Sequence, residues 1–523
     1  MVWKIDGPLG NESGKIKYEI VPYTRGRGVD LGAGLYKTYP HFISVDNCTD
    51  EALFGHPIKP DIKVKTCENL DIFASQSLDF VFSSHLLEHV EYANVPATLK
   101  EWMRVIKVGG YLTLYLPDEA EYPKVGEPGA NADHKWNVNY ERVIECMRTA
   151  GNWSLIDFQK RNQDYEYSLY FVFKKTNSGQ HFEWKKERPK KSAGCVRYGA
   201  IGDLAMASSV FAGLKAQGYH VTLYTSPPGS DVITHDPNID EIVLQDKDQV
   251  PNHELGNFWA HIKKRHDRWV NLSESVEGTF LALPGRVQHE WAPAVRHSMM
   301  DQNYLAFQHA VAGVPHLPKV RFFPTAEEDA WAKKEKAKMG GFVISWAMSG
   351  SSVHKTWPYL DAVIARIMLD FPQAHVCFTG GEADKLLEAG WENEKRVHRR
   401  SGQWTVRQSL AFVRHADVVI GPETGMLNFV CCEPMPKVVF LSHSTDENLT
   451  RDWINTHILF SENTKCPGRG NNDAPACHQL HYGWQHCKRT EETSTAQCMQ
   501  DITADQAYRI IWHAIQSCLE KAA

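Results

Sequence analysis

The sequence predicts an α/β protein of several domains, and three observations lead to this fold class. Apolar runs of strand length recur along the chain with helix-length segments between them, the alternation expected of parallel sheets covered by helices. Glycine-rich loops follow several of these runs, where ligands bind in such folds. The chain has 523 residues, and at about 150 residues per domain this length predicts about three domains.

The composition is that of a folded protein, with 42% hydrophobic and 23% charged residues, which excludes a disordered or collagen-like chain. The net charge of −6 gives no overall basic field for a nucleic-acid backbone, so nucleic acid is not the expected partner, although a local groove could be basic. No apolar run reaches the roughly 18 residues of a membrane span, and the first residues lack a signal-peptide core. The expectation is a soluble, cytoplasmic protein whose oligomeric state the sequence does not fix.

The predicted strands fall into three series. The first comprises Gly28 to Gly34, Phe42 to Asp46, Asp79 to Ser84, Tyr111 to Pro117 and Ser168 to Lys175. The second comprises Gly194 to Gly199, His220 to Ser226, Glu241 to Gln245 and Arg268 to Leu272. The third comprises Phe342 to Ala347, His375 to Gly380, Asp417 to Gly421 and Lys437 to Ser442.

The domain boundaries follow from these series. Residues 1–176 are the predicted first domain, and the polar, basic stretch 177–192 is a predicted linker. Residues 193–325 and 326–503 are two further domains, the second of which begins with the predicted helix Ala326 to Met339. That domain includes a cysteine-containing loop at 466–498, and residues 504–523 form a C-terminal helix.

The first series contains the residue types of a nucleoside pocket. Gly32 and Gly34 follow the first strand, and Asp46 ends the second. Glycines let the backbone approach a ligand, and an acidic residue at the next strand end can accept hydrogen bonds from ribose hydroxyls. A plain strand-to-helix turn is the alternative interpretation of the glycine pair.

Three longer strings strengthen the first interpretation: LDFVFSSHLLEHV from Leu78, LKEWMRVIKVGGYLTLYLP from Leu99 and HKWNVNYERVIECMRTAGNWSL from His134. Over about 175 residues the chain resembles a class I S-adenosylmethionine-dependent methyltransferase of the small type 11 kind, with a Rossmann-like fold. The resemblance implies that the cofactor-binding residues are Asp30, Gly32, Gly34, Asp46, Glu68, Ser83 and His85. Asp46 would hold the ribose, and Ser83 to His85 would lie beside the transferred methyl group.

This segment departs from the family in two ways. Only eleven residues separate Gly34 from Asp46, so the usual helix there must be very short or missing. Glu68 is the nearest acid where many relatives have an adenine-contacting Asp, which keeps an inactive scaffold open as an alternative. His85, Glu88 and His89 have the spacing of metal ligands or of an acid–base set on a helix face. In the resembled family this segment is mostly structural, so we predict no metal there.

The second and third series each carry further candidate site residues after their strands. Asp203 follows Gly199 and Gly202 and places a carboxylate where α/β ligands bind, with simple helix capping as the alternative. Lys355 is suited to neutralise phosphate oxygens, and the Thr424–Gly425 backbone at a predicted helix start can bind a pyrophosphate. Glu382, after a glycine pair, is a candidate for ribose hydroxyls.

Four segments here match glycosyltransferase family 9 in order: CVRYGAIGDLAMASS from Cys195, VISWAMSGSSVHKTWP from Val343, FTGGEAD from Phe378 and DVVIGPETGMLNFV from Asp417. From about Ala193 to Cys518 the chain resembles this family of ADP-heptose:lipopolysaccharide heptosyltransferases. The resemblance implies a GT-B pair of Rossmann-like domains, an ADP-sugar donor, a saccharide acceptor, inversion and no essential metal. Asp203 would be the general base, and the donor-binding residues would be Lys355, Glu382, Glu423, Thr424, Gly425 and Asn428.

Glu423 and Asn428 are departures, because the family usually has Asp and His at these positions, so the donor's identity stays open. Four late cysteines form a separate cluster: Cys466, Cys477, Cys487 and Cys498. Their spacings lack the close pair of ordinary zinc sites, so packing thiols, zinc ligands and disulfides all remain possible interpretations.

The leading hypothesis is a bifunctional glycan-modifying enzyme that transfers a sugar from a nucleotide-sugar and a methyl group from S-adenosylmethionine. One alternative is modification of nucleic-acid bases, as in hypermodified viral DNA, which the acidic net charge disfavours. The other is an inactive glycan-binding or assembly protein, which the departures at Glu423 and Asn428 keep open.

Overall fold

The structure is a computed structural model of the chain, and it describes residues 11–48, 56–163, 165–184, 189–280, 286–351, 355–461 and 493–522. Clustering of the backbone divides the chain into two compact units. The first comprises Met1–Lys190 and Leu244–Arg265, and the second comprises Lys191–Val243 and His266–Ala523. No helix in the described part of the chain is both long and apolar enough to span a membrane.

The first unit contains an eight-stranded sheet in the order β3-β2-β1-β4-β5-β7-β6-β8. Its strands are β1 (Gly28–Leu31), β2 (Ile43–Asp46), β3 (Ile62–Lys63), β4 (Leu78–Ser84), β5 (Ile106–Pro117), β6 (Trp153–Arg161), β7 (Ser168–Lys175) and β8 (Gln180–Phe182). Strands β3, β2, β1, β4 and β5 are parallel, and β7 runs antiparallel to β5 and β6. The strand order reverses direction at β1, so the ends of β1 and β4 are where a ligand is expected.

The helices of this unit are α1 (Ser13–Ile16), α2 (Val95–Val105), α3 (Tyr140–Met147) and α6 (Leu255–Lys263). Helix α2 buries Leu99, Trp102 and Met103 in the core cluster that also covers β4 and β5. Residues 32–42, between β1 and β2, contain no helix. This confirms the expectation drawn from the short spacing between Gly34 and Asp46.

The second unit contains two sheets. The first has the order β11-β10-β9-β12, with strands β9 (Ser192–Val196), β10 (His220–Thr225), β11 (Glu241–Leu244) and β12 (Arg268–Asn271). The second has the order β15-β14-β13-β16-β17-β18, with β13 (Phe342–Ala347), β14 (Ala374–Thr379), β15 (Val397–Arg399), β16 (Val418–Pro422), β17 (Lys437–Phe440) and β18 (Thr456–Leu459). Every neighbouring pair in the second sheet is parallel, as the α/β prediction requires.

Helices surround both sheets of the second unit. Those before β13 are α4 (Ile201–Ala216), α5 (Pro227–Ile233), α7 (Leu272–Thr279), α8 (Pro293–Met300), α9 (Tyr304–Ala312) and α10 (Ala326–Met339). Those after it are α11 (Leu360–Asp370), α12 (Val406–Val413), α13 (Gly425–Val430), α14 (Gln497–Gln500) and α15 (Ala504–Ala522). Helix α10 begins at a Thr325 cap that accepts from the Glu328 N–H, where the sequence predicted the start of the last domain.

Two segments lie elsewhere than the sequence predicted. Residues 180–182, inside the predicted linker, form β8 and pair with β6. Residues Leu244–Arg265, which the prediction placed in the second domain, belong to the first unit. Neither segment has a composition that indicates its sheet or unit, because long-range pairing decides both. The other domain boundaries stay predictions.

Glu19 connects the returning segment to the rest of the first unit. Its carboxylate is buried and accepts from His261 at 2.8 Å and from Arg161 at 2.9 Å. Burial alone would raise the pKa of Glu19, but the hydrogen bond from His261 and the charge of Arg161 lower it below its usual value. The ionised carboxylate is therefore favoured by folding.

We expect Glu19→Gln to destabilise the first unit by about 2 kcal/mol at neutral pH, because two charge-assisted hydrogen bonds lose their anion. The pKa of the Glu19 carboxyl group is lower in the folded than in the unfolded protein. Its contribution to stability is therefore present at neutral pH and is lost as the pH falls through the acidic range. The difference between variant and wild type should therefore shrink in acid. Thermal unfolding across pH measures it, with Glu254→Gln as control, since its only partly buried pair with Lys17 contributes about 1 kcal/mol or less. Equal effects of both substitutions would contradict the prediction.

Candidate functional site

The first candidate site lies at the carboxyl ends of β1 and β2. Asp46 ends β2, and its two carboxylate oxygens accept from the Gly34 N–H at 3.0 Å and the Cys48 N–H at 2.6 Å. Gly32 and Gly34 have φ values of +69° and +57°, a conformation that favours glycine. The loop after β1 is therefore held against Asp46, and each carboxylate oxygen retains a lone pair for a ligand hydroxyl.

Asp30 lies on β1 beside this loop, and it is almost completely buried. One carboxylate oxygen accepts from both the backbone N–H and the hydroxyl of Thr38, each at 2.9 Å. Burial raises the pKa of Asp30 to about 6, although the Thr38 hydrogen bonds oppose the shift. A cationic ligand beside Asp30 would favour its ionised form.

Ser83 and His85 lie at the end of β4, where the register pairs Ser83 with Leu31 of β1. The Ser83 hydroxyl is buried and has no hydrogen-bond partner among the described residues. The His85 Nε2 lies 3.0 Å from the Ser168 hydroxyl. Glu68, by contrast, pairs locally, since the Thr66 hydroxyl donates to it at 3.2 Å. The structure thus places Asp30, Asp46 and Ser83 at one edge of the sheet.

The second candidate site, in the other unit, is built around Asp203 near the start of α4. One carboxylate oxygen of Asp203 accepts from Arg197 at 2.6 Å, and the other accepts from the Ala200 N–H at 2.8 Å. Asp203 therefore does cap the helix, which was the alternative interpretation of this residue. Its side chain nevertheless remains about one-third exposed, so capping leaves part of the carboxylate accessible.

Arg197 is the residue here that sequence reasoning missed. It is completely buried at the end of the β9 segment, and its guanidinium also donates to Glu277 at 2.7 Å. Burial would lower the pKa of Arg197, but the nearby carboxylates of Asp203 and Glu277 raise it. The RYGAIGD string contained the signal, because an Arg that ends a buried strand requires an anionic partner.

Glycines let the starts of α4 and α13 approach each other closely. A Cβ added at Gly425 would lie 2.8 Å from the Ile201 side chain and 3.0 Å from the Gly202 backbone nitrogen. The Asn428 amide group donates to the Gly202 carbonyl oxygen at 3.4 Å. This contact brings Asp203, from the part of the unit around the first sheet, toward the loops that follow β13 and β16.

Lys355 follows β13, and its side chain is buried in this region. Its ammonium group donates to the Glu423 carbonyl oxygen at 2.8 Å. Burial lowers the pKa of Lys355, while the charges of Glu423 and Asp203 oppose the shift. The lysine and the proposed base are thus close enough to interact electrostatically.

Glu423 is buried beside Lys355 and organises the chain after β17. One carboxylate oxygen accepts from the N–H groups of Ser442 at 3.0 Å and His443 at 2.9 Å, and lies 2.7 Å from the His443 Nδ1. Burial would raise the pKa of Glu423, but His443, Lys355 and Ser442 together hold it well below the usual value. The Glu423 carboxylate is therefore integrated into the fold.

Three buried polar atoms at the start of α13, next to the contact between Glu423 and Lys355, have no hydrogen-bond partner among the described residues: Glu423 Oε2, Thr424 Oγ1 and Asn428 Oδ1. Native interiors rarely leave such atoms unsatisfied, and each one requires an explanation. Their common location beside a buried lysine indicates a site for a polar ligand that brings its own donors.

The structure places Glu382 differently from the other candidates. It is exposed and pairs with Lys385 at 2.6 Å. Its neighbour Asp384 is instead the residue that joins two loops, since it accepts from the Gly381 N–H at 2.7 Å and from the Ser349 hydroxyl. Sequence reasoning missed Asp384. An acid three residues after a glycine is a helix-capping pattern that could have identified it.

Most of the late cysteine cluster lies outside the described residues, namely Cys466, Cys477 and Cys487. Cys498 lies in the described part of the chain and is partly buried.

The sequence model of the family described as "Methyltransferase domain" matches residues 37–114. The first unit therefore contains a methyltransferase domain with a Rossmann-like sheet. No curated protein matches the chain.

Several solved structures resemble the chain in fold. A glycosyl transferase family 9 protein from Veillonella parvula is 14% identical, with a TM-score of 0.46 over 63% of this chain and 99% of that one. The E. coli ADP-heptose lipopolysaccharide heptosyltransferase II is 13% identical, with a TM-score of 0.44 over 64% of this chain and 100% of that one. The iron-containing dodecameric glycosyltransferase TibC of enterotoxigenic E. coli is 14% identical, with a TM-score of 0.41 over 64% of this chain and 78% of that one.

We expect Gly425→Ala to destabilise the second unit by about 1–3 kcal/mol, because the added methyl group overpacks the contact between α4 and α13. Thermal unfolding measures the change. Gly256→Ala in α6 is the control. A Cβ at this position would have no heavy atom within 4 Å apart from its chain neighbours and the backbone of its own helix, and alanine favours a helix. A Gly425→Ala variant as stable as wild type would show that the two helix starts are not in firm contact.

Proposed function

We propose that the protein is a bifunctional transferase that modifies a glycan. In this proposal the first unit transfers a methyl group from S-adenosylmethionine, and the second transfers a sugar from an ADP-sugar to a saccharide hydroxyl with inversion and without an essential metal. The observation that carries the proposal is the proximity of Asp203 to buried Lys355, together with three unsatisfied buried polar atoms at the start of α13. A base, a cation and unpaired polar groups are what transfer from a nucleotide-sugar requires.

Asp203 would accept the proton of the acceptor hydroxyl while that oxygen attacks the anomeric carbon. The bond from this carbon to the diphosphate oxygen breaks, and the nucleoside diphosphate leaves with the electron pair. Arg197 and the Ala200 N–H fix the carboxylate in place, so its free lone pairs are oriented before the acceptor binds. A positioned general base contributes about 10²–10⁴ in rate.

Lys355 would stabilise the negative charge that develops on the leaving diphosphate. Its charge is compensated before donor binding by Glu423 and Asp203. The hydroxyl of Thr424 can donate to a phosphate oxygen, and Asn428 can contribute a neutral amide group. Charge stabilisation by groups fixed in advance is usually a large part of such catalysis.

For methyl transfer, the anionic edge formed by Asp30 and Asp46 would hold the cofactor, with Asp46 on the ribose. Ser83 and His85 would line the acceptor side. The chain's own contribution is to orient the acceptor atom toward the methyl group, since S-adenosylmethionine supplies the activated carbon.

The two sites predict a separable pattern of ligand binding. In the full-length protein, ADP should raise the melting temperature, and Lys355→Met should abolish that shift because the diphosphate loses its cation. S-adenosylhomocysteine should raise it independently, and Asp46→Asn should abolish only this second shift. Differential scanning fluorimetry and calorimetry with ADP, UDP, GDP and CDP measure both effects.

Each variant is the control for the other site. If neither ligand class binds to wild type, the bifunctional proposal fails and an inactive glycan-binding protein takes its place. Salt-sensitive binding of DNA together with S-adenosylhomocysteine would favour modification of nucleic-acid bases instead.

Asp203→Asn should lower glycosyl transfer by about 10²–10⁴ while ADP binding persists, because the amide group cannot accept the acceptor's proton. The measurement is release of ADP from an ADP-sugar in the presence of a panel of saccharides. Glu241→Gln is the matched control, since this exposed acid on β11 accepts a hydrogen bond from the Thr222 hydroxyl at 3.3 Å. Full activity of Asp203→Asn would remove the residue from the mechanism.

A further inference from the structure

A buried group of titratable side chains in the first unit has no role in the proposed reactions. Glu88, His89 and His134 lie together, and their potential ligand atoms are all within 4.8 Å of one another. Glu88 and His89 belong to the turn after β4, and His134 belongs to the segment before α3.

Glu88 is the most informative of the three. Its side chain is completely buried, and neither carboxylate oxygen has a hydrogen-bond partner in the described part of the chain. The nearest cationic or donor groups are imidazoles, with His85 Nδ1 at 3.5 Å and His134 Nε2 at 3.7 Å from Oε1. A buried carboxylate normally requires full hydrogen bonding or a cation, and here the protein provides neither.

The backbone fixes the histidine segment against the Glu88 turn. The Lys135 N–H donates to the Glu88 carbonyl oxygen at 2.8 Å, and the Trp136 indole donates to the Leu87 carbonyl oxygen at 3.1 Å. The rings of His89 and His134 meet edge to face with centroids 4.9 Å apart. The contacts of the Glu88 and Leu87 carbonyl groups therefore bring the two segments together, and the ring contact joins His89 to His134.

We propose that Glu88, His89 and His134 bind a divalent first-row transition metal ion, for which Zn²⁺ is the reference. One carboxylate and two imidazoles are a preferred donor set for such ions. Ligands at about 2.1 Å from a tetrahedral zinc lie about 3.4 Å apart. Glu88 and His134 are 3.7 Å apart and all three ligand atoms lie within 4.8 Å of one another, so the group would contract when the ion binds. Three protein ligands leave a coordination position open, as in catalytic rather than structural zinc sites.

The surroundings are compatible with this assignment. The His134 side chain is largely buried, and a neutral imidazole is the form that binds metals. Nearby His85 directs Nδ1 toward Glu88 while its Nε2 contacts the Ser168 hydroxyl. The other charged groups near His85 are Glu12, which contacts it at 3.9 Å, and Lys15, which pairs with Glu12. The metal assignment replaces the structural role that the sequence suggested for this segment.

The test is metal binding by the full-length protein after chelator treatment and dialysis. Wild type should retain one more equivalent of Zn²⁺ by mass spectrometry than Glu88→Gln or His134→Asn, and Zn²⁺ should raise the melting temperature of wild type only. Co²⁺ substitution should give visible absorption bands that both variants lose. Circular dichroism of the metal-free proteins shows whether each variant folds, and Glu88→Gln preserves the size of the side chain.

Two further variants separate this site from other sources of metal. His398→Asn removes a histidine that pairs with His375 elsewhere, and it should bind metal as wild type does. Cys487→Ser tests the late cysteines. If metal is lost only in Cys487→Ser, or if Glu88→Gln retains as much as wild type, the proposal is overturned and Glu88 is a protonated core carboxyl group.

Discussion

The close contact between the starts of α4 and α13 is the constraint on which the second unit's site depends. Gly425 has no room for a side chain against Ile201 and Gly202. Because the two helices meet there, Asp203 interacts with Lys355, which follows the other sheet. Without this contact, the proposed base Asp203 and the proposed phosphate-binding residue Lys355 would belong to separate surfaces. Neither residue could then act on a substrate held by the other.

The charges at this site are balanced in advance. Arg197 lies between Asp203 and Glu277, and Lys355 lies beside Glu423, whose other partner is His443. Burying charges is costly unless each has a partner, and here the partners also fix direction. Two of the three atoms left unsatisfied, Glu423 Oε2 and Asn428 Oδ1, are hydrogen-bond acceptors.

At the candidate site of the first unit, the carboxylates of Asp30 and Asp46 are held by backbone N–H groups. Asp46 accepts from two of them, and Asp30 accepts from Thr38. These bonds shape the loop after β1 without a cation. Glu88 is equally buried, but neither of its carboxylate oxygens has a hydrogen-bond partner among the described residues. Because of this difference in hydrogen bonding, we assign a metal ion to Glu88 and not to Asp30 or Asp46.

The sequence by itself determined the α/β class, most strand positions and the loops that carry Asp46, Asp203 and Lys355, because strand periodicity and glycine placement are local properties. It also predicted the missing helix between β1 and β2. Only the tertiary structure decided that residues 244–265 join the first unit, that Arg197 and Asp384 fix neighbouring loops, and that Glu382 is exposed. These features depend on residues far apart in the chain, and pairing at long range leaves no periodic signal in the sequence.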